Sequence, residues 1–298
     1  MSNIDLSSWD AGIEDAMIPN TNLMLVDALN LAFRYKHKNA KDFAADYIKT
    51  INSLAKSYHA AKVIMLTDFK GSSYRKELHP LYKSDRKKQF ENQTEEEKQA
   101  SDEFFAEFNK ALDMASQAFT LVKLEKVEAD DVATFFVEAF EDGEHFDHIW
   151  LISTDKDWDE LLGENVSRFS YTTRREYTKD NFYEHHACDT PEQYTSIKAI
   201  MGDQGDSVYG VDGIGVKRAY NLVRQYGSVF DIADLLPIEG KQLYIQKLNE
   251  SYDKLLLNAQ LVDLRGWHRE AIAHPDPENI TYLENIVSEL KEKFHATY

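Results

Sequence analysis

Met201-Gly-Asp-Gln-Gly-Asp-Ser-Val-Tyr-Gly-Val-Asp-Gly-Ile-Gly-Val-Lys-Arg218 is the stretch around which the chain is organised. Asp203 and Asp206 stand on a glycine-rich turn, and Gly215 opens a helix carrying Lys217 and Arg218. A Gly-x-Gly turn entering a helix leaves backbone N–H groups unpaired at the positive end of the helix dipole, which suits a phosphate. One half of the stretch can hold a cation and the other an anion, a pairing that points to phosphodiester chemistry. A Rossmann fingerprint does not fit, because a polar loop precedes the glycines and Arg218 stands where the last glycine belongs. A Walker loop fails because Val216, not lysine, follows Gly215. The plain alternative is a helix–helix connection with solvated acids, and the rest of the chain argues against it.

Thr190-Pro191 caps a helix that runs through Lys198 into this turn. Beyond it, apolar spacing predicts helices over 219–226, 229–236 and 241–262 and a final helix after Arg265. The earlier part reads differently. Leu23-Met-Leu-Val26 and Val63-Ile-Met-Leu66 are short, wholly apolar runs of the buried-strand type, separated by helical spacing over Ala44 to Tyr58. They end on Asp27 and Asp68. Phe119 to Leu124, His148 to Ser153 and Val166 to Tyr171 read as further strands, and the alternation with helices predicts a parallel sheet. Ligands of such sheets bind beyond the carboxyl ends of the strands.

Composition narrows the function. With 34 basic and 52 acidic residues among 298, the net charge of −18 excludes a protein that grips nucleic acid over its whole surface. Yet residues 69–90 carry seven Lys or Arg against two acids, including His79-Pro-Leu-Tyr-Lys-Ser-Asp-Arg86, where Lys83 and Arg86 are spaced to share a helix face and Tyr82 offers a ring for stacking. Thr94-Glu-Glu-Glu97 is a capping box for a helix to about Ala118 with Phe104, Phe105, Phe108, Leu112 and Ala115 on its apolar side. The single cysteine, Cys188, excludes an intrachain disulfide and a thiolate zinc site; His185 and His186 lack a second ligand pair. No membrane span or signal segment is evident, so we expect a cytoplasmic protein; we also expect a monomer.

Nine carboxylates occupy places where strands, first helical turns or glycine turns deliver side chains to one edge. They are Asp27, Asp68, Glu128, Asp130, Asp131, Asp155, Asp157, Asp203 and Asp206. Any two at ~5 Å repel by ~3 kcal/mol even at an effective dielectric of ~20. If they converge, cations must neutralise them. An all-oxygen ligand set selects Mg²⁺ or Mn²⁺, and this many acids can serve two ions, which polarise a phosphodiester and activate water without a side-chain nucleophile.

These motifs together resemble the 5′-nuclease superfamily, in particular bacteriophage flap endonucleases (5′-3′ exonucleases). The likeness rests on Asp27 and Asp68, Pro80-Leu-Tyr-Lys83 with Arg86, Glu128-Ala-Asp-Asp131, Ser153-Thr-Asp-Lys-Asp157, and Lys198-Ala-Ile-Met-Gly-Asp203 leading to Gly210-Val-Asp-Gly-Ile-Gly215. It implies an α/β parallel-sheet core over residues 21–186, a helical arch at about 69–118, and a mostly helical region, 187–298, with a helix-three-turn-helix element that holds duplex DNA; residues 1–20 remain a tail. It also implies that Asp68, Glu128, Asp130 and Asp131 serve one metal, with Asp27 behind them, and that Asp155, Asp157, Asp203 and Asp206 serve a second. Lys83 and Arg86 would contact the scissile phosphate and Tyr82 would stack. Lys198 and Lys217 would bind duplex backbone, Lys217 with the amides around Gly213 and Gly215, where family members often hold a K⁺ ion. The sequence departs from the family at Gly205-Asp206-Ser207 and at Ala28. The implied activity is Mg²⁺-dependent cleavage of branched or 5′-ended DNA during replication, in the bacterial host cytoplasm if the chain is viral. The alternatives are a nuclease for RNA primers or structured RNA, and a non-catalytic DNA-binding accessory.

Overall fold

The computed structural model describes residues 19–38, 40–86 and 92–294. The tail expected over 1–20 therefore lies, but for its last two residues, outside the described residues. The elements in order are β1 (Asn22–Asp27), α1 (Ala28–Lys36), α2 (Ala44–Ser57), β2 (Ala60–Leu66), α3 (Ser73–Leu78), α4 (Glu95–Ala115), β3 (Thr120–Val122), α5 (Ala129–Phe140), β4 (Ile149–Ile152), a 3-10 turn (Asp157–Leu161), β5 (Val166–Ser170), β6 (Arg175–Tyr177) and α6 (Phe182–His186). The last third holds α7 (Pro191–Met201), the short strands β7 (Gly202–Asp203) and β8 (Val208–Tyr209), α8 (Val216–Tyr226), α9 (Val229–Asp234), α10 (Leu243–Asn249), α11 (Tyr252–Val262), α12 (Leu264–Ala273) and α13 (Glu278–Lys293).

The six-stranded sheet has the order β3-β2-β1-β4-β5-β6, parallel except for the edge strand β6. Successive residues of a strand face opposite ways, and both sides here are covered, which is why the central strands carry no polar alternation. Leu23, Leu25, Ile64, Leu66 and Leu151 pack with α5, α12 and α13, while Met24, Val26, Val63, Met65 and Ile152 pack with α1, α2 and α4. A third core, including Ile197, Ile200, Leu222, Val223, Ile232 and Leu255, belongs to the helical region. Among the described residues no helix is long and apolar enough to cross a membrane.

Several expectations change. The segment read as an arch over 69–118 is partly body: α4 lays Phe104, Phe108, Ala111, Leu112 and Ala115 into the core beside Tyr47 and Phe43. Phe105 points away from that face and is 39% exposed. The helix expected over 241–262 is two helices, because the chain turns at Glu250 and Ser251 while Ile245, Leu248, Leu255 and Ala259 keep a helical apolar spacing across the break. Lys83 and Arg86 do not share a helix face, since Lys83 sits in a turn with φ +54°.

Phe136, wholly buried on α5 between the sheet and α12, tests the packing. Phe136→Ala should lower the free energy of unfolding by about 3–5 kcal/mol in urea titration, and a loss below ~1 kcal/mol would contradict its interior place.

Candidate metal centre and active site

From β3 the chain crosses back to β4 on the far side of β1, so the connections leave the carboxyl ends of β1 and β4 in opposite directions and open a crevice there. Asp27 closes β1 and caps α1, its Oδ1 accepting the Asn30 N–H at 3.2 Å. Its other oxygen accepts from Ser153 Oγ at 2.8 Å, and the same Oγ accepts the Asp155 N–H at 3.0 Å. Burial, with Asp68 and Asp155 nearby, pushes the Asp27 carboxyl up to about 8. One strand outward, Asp68 Oδ1 accepts the Ala129 N–H at 2.6 Å, so the first turn of α5 sets Glu128 and Asp130 against it. Asp130 accepts from the buried Trp158 indole at 2.6 Å, and burial together with Asp155 and Asp68 raises it well above the carboxylate range.

Cations of the protein itself stand among these acids. Lys83 Nζ lies 2.6 Å from Glu128 and 3.6 Å from Asp206, and Arg86 Nη2 donates to Asp206 at 2.8 Å. Lys198 Nζ lies 2.8 Å from Asp157, 2.8 Å from Glu160 and 3.9 Å from Asp203. Arg75 donates two hydrogen bonds to Asp131, at 2.7 and 2.8 Å, and one to Glu128 at 3.3 Å. Burial works to raise Glu128, but Lys83 and Arg75 hold it down to about 2. These cations gather five of the nine acids, Glu128, Asp131, Asp157, Asp203 and Asp206, and Glu160 around one cleft. Asp68 and Asp130 join them at the first turn of α5, Asp155 lies close enough to repel Asp130, and Asp27 stands at the back. An open groove of about 440 Å³ lined by Asp155, Asp157, Asp203, Asp206 and Arg86 leads into it.

The turn that carries Asp203 and Asp206 is held by a close backbone crossing. Gly202 has φ +81°, a Cβ there would meet Gly210 N at 2.3 Å, and a Cβ on Gly210 would meet the Met201 carbonyl carbon at 2.1 Å. Buried Asn258 donates to Ala199 O at 2.8 Å and Tyr209 O at 3.1 Å, locking both sides. Downstream, Gly213 has φ +80° and Gly215 begins α8 with no side-chain cap, beside exposed Lys217. That terminus is open to an anion.

Three sequence expectations are corrected. Lys198 is 4% exposed and held by three carboxylates, so it does not face duplex backbone. Tyr82 is 4% exposed with its hydroxyl 3.0 Å from Glu128 and 2.8 Å from Asp206, which leaves no ring face for stacking. Asp131 is wholly buried with both oxygens bound by Arg75, so it braces the cleft instead of lining it. His186 pairs with Asp159 at 2.8 Å, and Cys188 is buried.

The sequence reading missed Arg75, Glu160 and a basic pocket. Glu160 comes from the 3-10 turn after β4, and its Oε2 accepts the Leu264 N–H at 3.3 Å; burial pushes it up to about 7 against the pull of Lys198. The pocket, about 510 Å³, is lined by Arg34, His37, Lys38 and Arg174 with no carboxylate, and meets the acid groove at Asn30 and Thr154. Its signal was present in Arg174, but its partners lie on the last turn of α1 and just after it, some 140 residues earlier.

The donor set suits hard divalent cations: it is all carboxylate, crowded enough to push Asp27 and Asp130 upward, and already stabilises positive charge in the form of Lys83 and Lys198. As they stand, no three His, Cys, Asp or Glu side chains among the described residues surround one point closely enough to hold an ion; Glu128, Asp157 and Asp206 are turned onto the protein's own cations, and Asp68 and Asp130 onto N–H donors. Gly210→Ala should shift Met201 and misplace Asp203 and Asp206, costing at least about 2 kcal/mol in thermal or urea unfolding. An unchanged melting temperature would contradict the crossing.

Residues 22–187 match the family described as 5′-3′ exonuclease, N-terminal resolvase-like domain, and residues 189–273 match 5′-3′ exonuclease, C-terminal SAM fold. The flap endonuclease of Escherichia phage T5 is 46% identical over 290 residues, covering 96% of this chain and 99% of that one. A solved structure of the bacteriophage T5 D15 flap endonuclease, a variant in a pseudo-enzyme-product complex with DNA and metal ions, superposes with a TM-score of 0.87 at 46% identity over 91% of this chain and 99% of that one. T5 5′-exonuclease with divalent zinc bound gives a TM-score of 0.87 at 47% identity over 90% and 99%. The α/β core with its acidic strand ends, followed by the SAM-like helical region, makes this chain a member of the 5′-3′ exonuclease family.

Proposed function

We propose that the chain is a magnesium-dependent, structure-selective nuclease, a flap endonuclease and 5′-3′ exonuclease acting on DNA near junctions of single and double strand. The observation that carries this reading is the meeting of carboxylates from five separate segments at the β1/β4 crevice, with Lys83, Arg86 and the open α8 N-terminus around it. Asp68, Glu128 and Asp130 would hold one ion and Asp155, Asp157, Asp203 and Asp206 another, with Asp27 behind them. Mn²⁺ can substitute for Mg²⁺. The bound ions would neutralise the acids, polarise the scissile phosphodiester and acidify the attacking water.

The remaining chemistry belongs to the chain. Lys83 and Arg86 exchange their carboxylate partners for the scissile phosphate, whose developing charge they stabilise. The α8 N-terminus, with Gly213, Gly215 and Lys217, seats a duplex phosphate, with K⁺ in the turn. The basic pocket at Arg34 and Arg174 takes phosphates on the other side of the cleft. The acidic surface elsewhere disfavours misplaced DNA. We take the working form to be a monomer acting in replication, in the bacterial cytoplasm if the chain is viral.

Labelled flap DNA incubated with Mg²⁺ should be cut near the branch and should survive intact under chelation; persistent cleavage in chelator would remove the metal reading. Asp155→Asn should reduce turnover by about 100-fold or more, and binding without cleavage by the unaltered protein would favour a DNA-binding accessory. Lys83→Ala should slow turnover by about 10²-fold or more while duplex affinity stays within a few-fold. A large loss of affinity at unchanged turnover would reverse the role given to Lys83.

A further inference from the structure

Among the cleft's cations, Arg75 has no part in substrate contact. It stands on α3, wholly enclosed at 1% exposure, with its N–H accepted by the N-cap Ser72 Oγ at 3.1 Å. Four of its five guanidinium N–H groups are accounted for. Three go to Asp131 and Glu128, and Nε donates to the Leu261 carbonyl at 3.0 Å, near the end of α11. Lys83 and Arg86, by contrast, are 16% and 59% exposed through their side chains and can swing toward the groove. A guanidinium does not deprotonate in a protein, and a two-point bond to a carboxylate holds its plane fixed. Arg75 therefore stays when ions and substrate enter.

Resting on the reading of the cleft as a divalent-metal centre, we infer that Arg75 is a positioning residue that orients Glu128 through a fixed counter-charge and thereby limits how tightly the cleft binds a divalent ion. Its positive charge touches Glu128 directly, so it opposes a second positive charge arriving there. It also aims the Glu128 carboxylate, whose orientation decides whether the bound ion is placed for catalysis. Removing the charge should tighten ion binding and lower turnover together. A residue that merely supports the fold would, on removal, weaken both.

The test is calorimetric titration of Ca²⁺ into the DNA-free protein, beside turnover on flap DNA at saturating Mg²⁺. Arg75→Gln should bind Ca²⁺ about tenfold more tightly or better yet turn over at least tenfold more slowly. Arg75→Lys, which keeps the charge, should stay within about threefold of the unaltered protein in affinity and recover part of the turnover. Equal or weaker Ca²⁺ binding by a folded Arg75→Gln protein would overturn the inference. Should that variant not fold, the charge-balanced pair Arg75→Gln with Asp131→Asn should bind Ca²⁺ within about threefold of the unaltered protein, and a larger change would overturn it instead. No Ca²⁺ heat with the unaltered protein would count against the metal centre itself, leaving the two failures distinguishable.

Discussion

Repulsion among carboxylates gathered at one edge of a parallel sheet is the constraint the structure is arranged to satisfy. At an effective dielectric of ~20, each pair at ~5 Å costs ~3 kcal/mol, and several such pairs exceed what a domain can carry. The fold answers with hydrogen bonds and with cations. Asp68 sits on the N-terminus of α5, Asp27 caps α1, and Ser153 bridges Asp27 to the loop of Asp155. Arg75, Lys83, Arg86 and Lys198 supply the charge. What these do not relieve shows in Asp27 and Asp130, which burial and their acidic neighbours hold raised, a repulsion that a divalent ion would relieve.

The charged side chains of the cleft also join the two parts of the chain. Lys198 reaches from α7 into Asp157 and Glu160 of the α/β part, Arg75 reaches the other way to the Leu261 carbonyl, Glu160 accepts the first N–H of α12, and Arg265 pairs with Glu141 at 2.8 Å. The cleft is thus the seam between core and helical region. The contacts that hold the helical region against the core are therefore also contacts of the acid site.

Legibility followed the range of the interactions. The runs Leu23–Val26 and Val63–Leu66 announced strands buried on both faces, and the aspartates beyond them were readable because an acid after such a run has few structural uses. The capping box at Thr94 and Glu97 and the helix entry at Gly215 formed as expected, since both are local geometry. α1 escaped notice because Asp27 ends the strand and caps the helix with no loop between. Lys198 and Tyr82 looked like substrate contacts from their neighbours in sequence, but carboxylates roughly 40 or more residues away claim them.

The sequence by itself determined the layers, the order of the motifs and the chemical character of the site: carboxylates suited to hard cations, an uncapped glycine helix entry and a local basic segment. Those are properties of short windows, where periodicity, capping and residue type act within a few bonds. Only the tertiary structure decided which charges are spent inside the protein. Whether a lysine or an arginine meets DNA or a buried aspartate depends on which distant strand end the fold sets beside it, and no spacing along the chain encodes that distance.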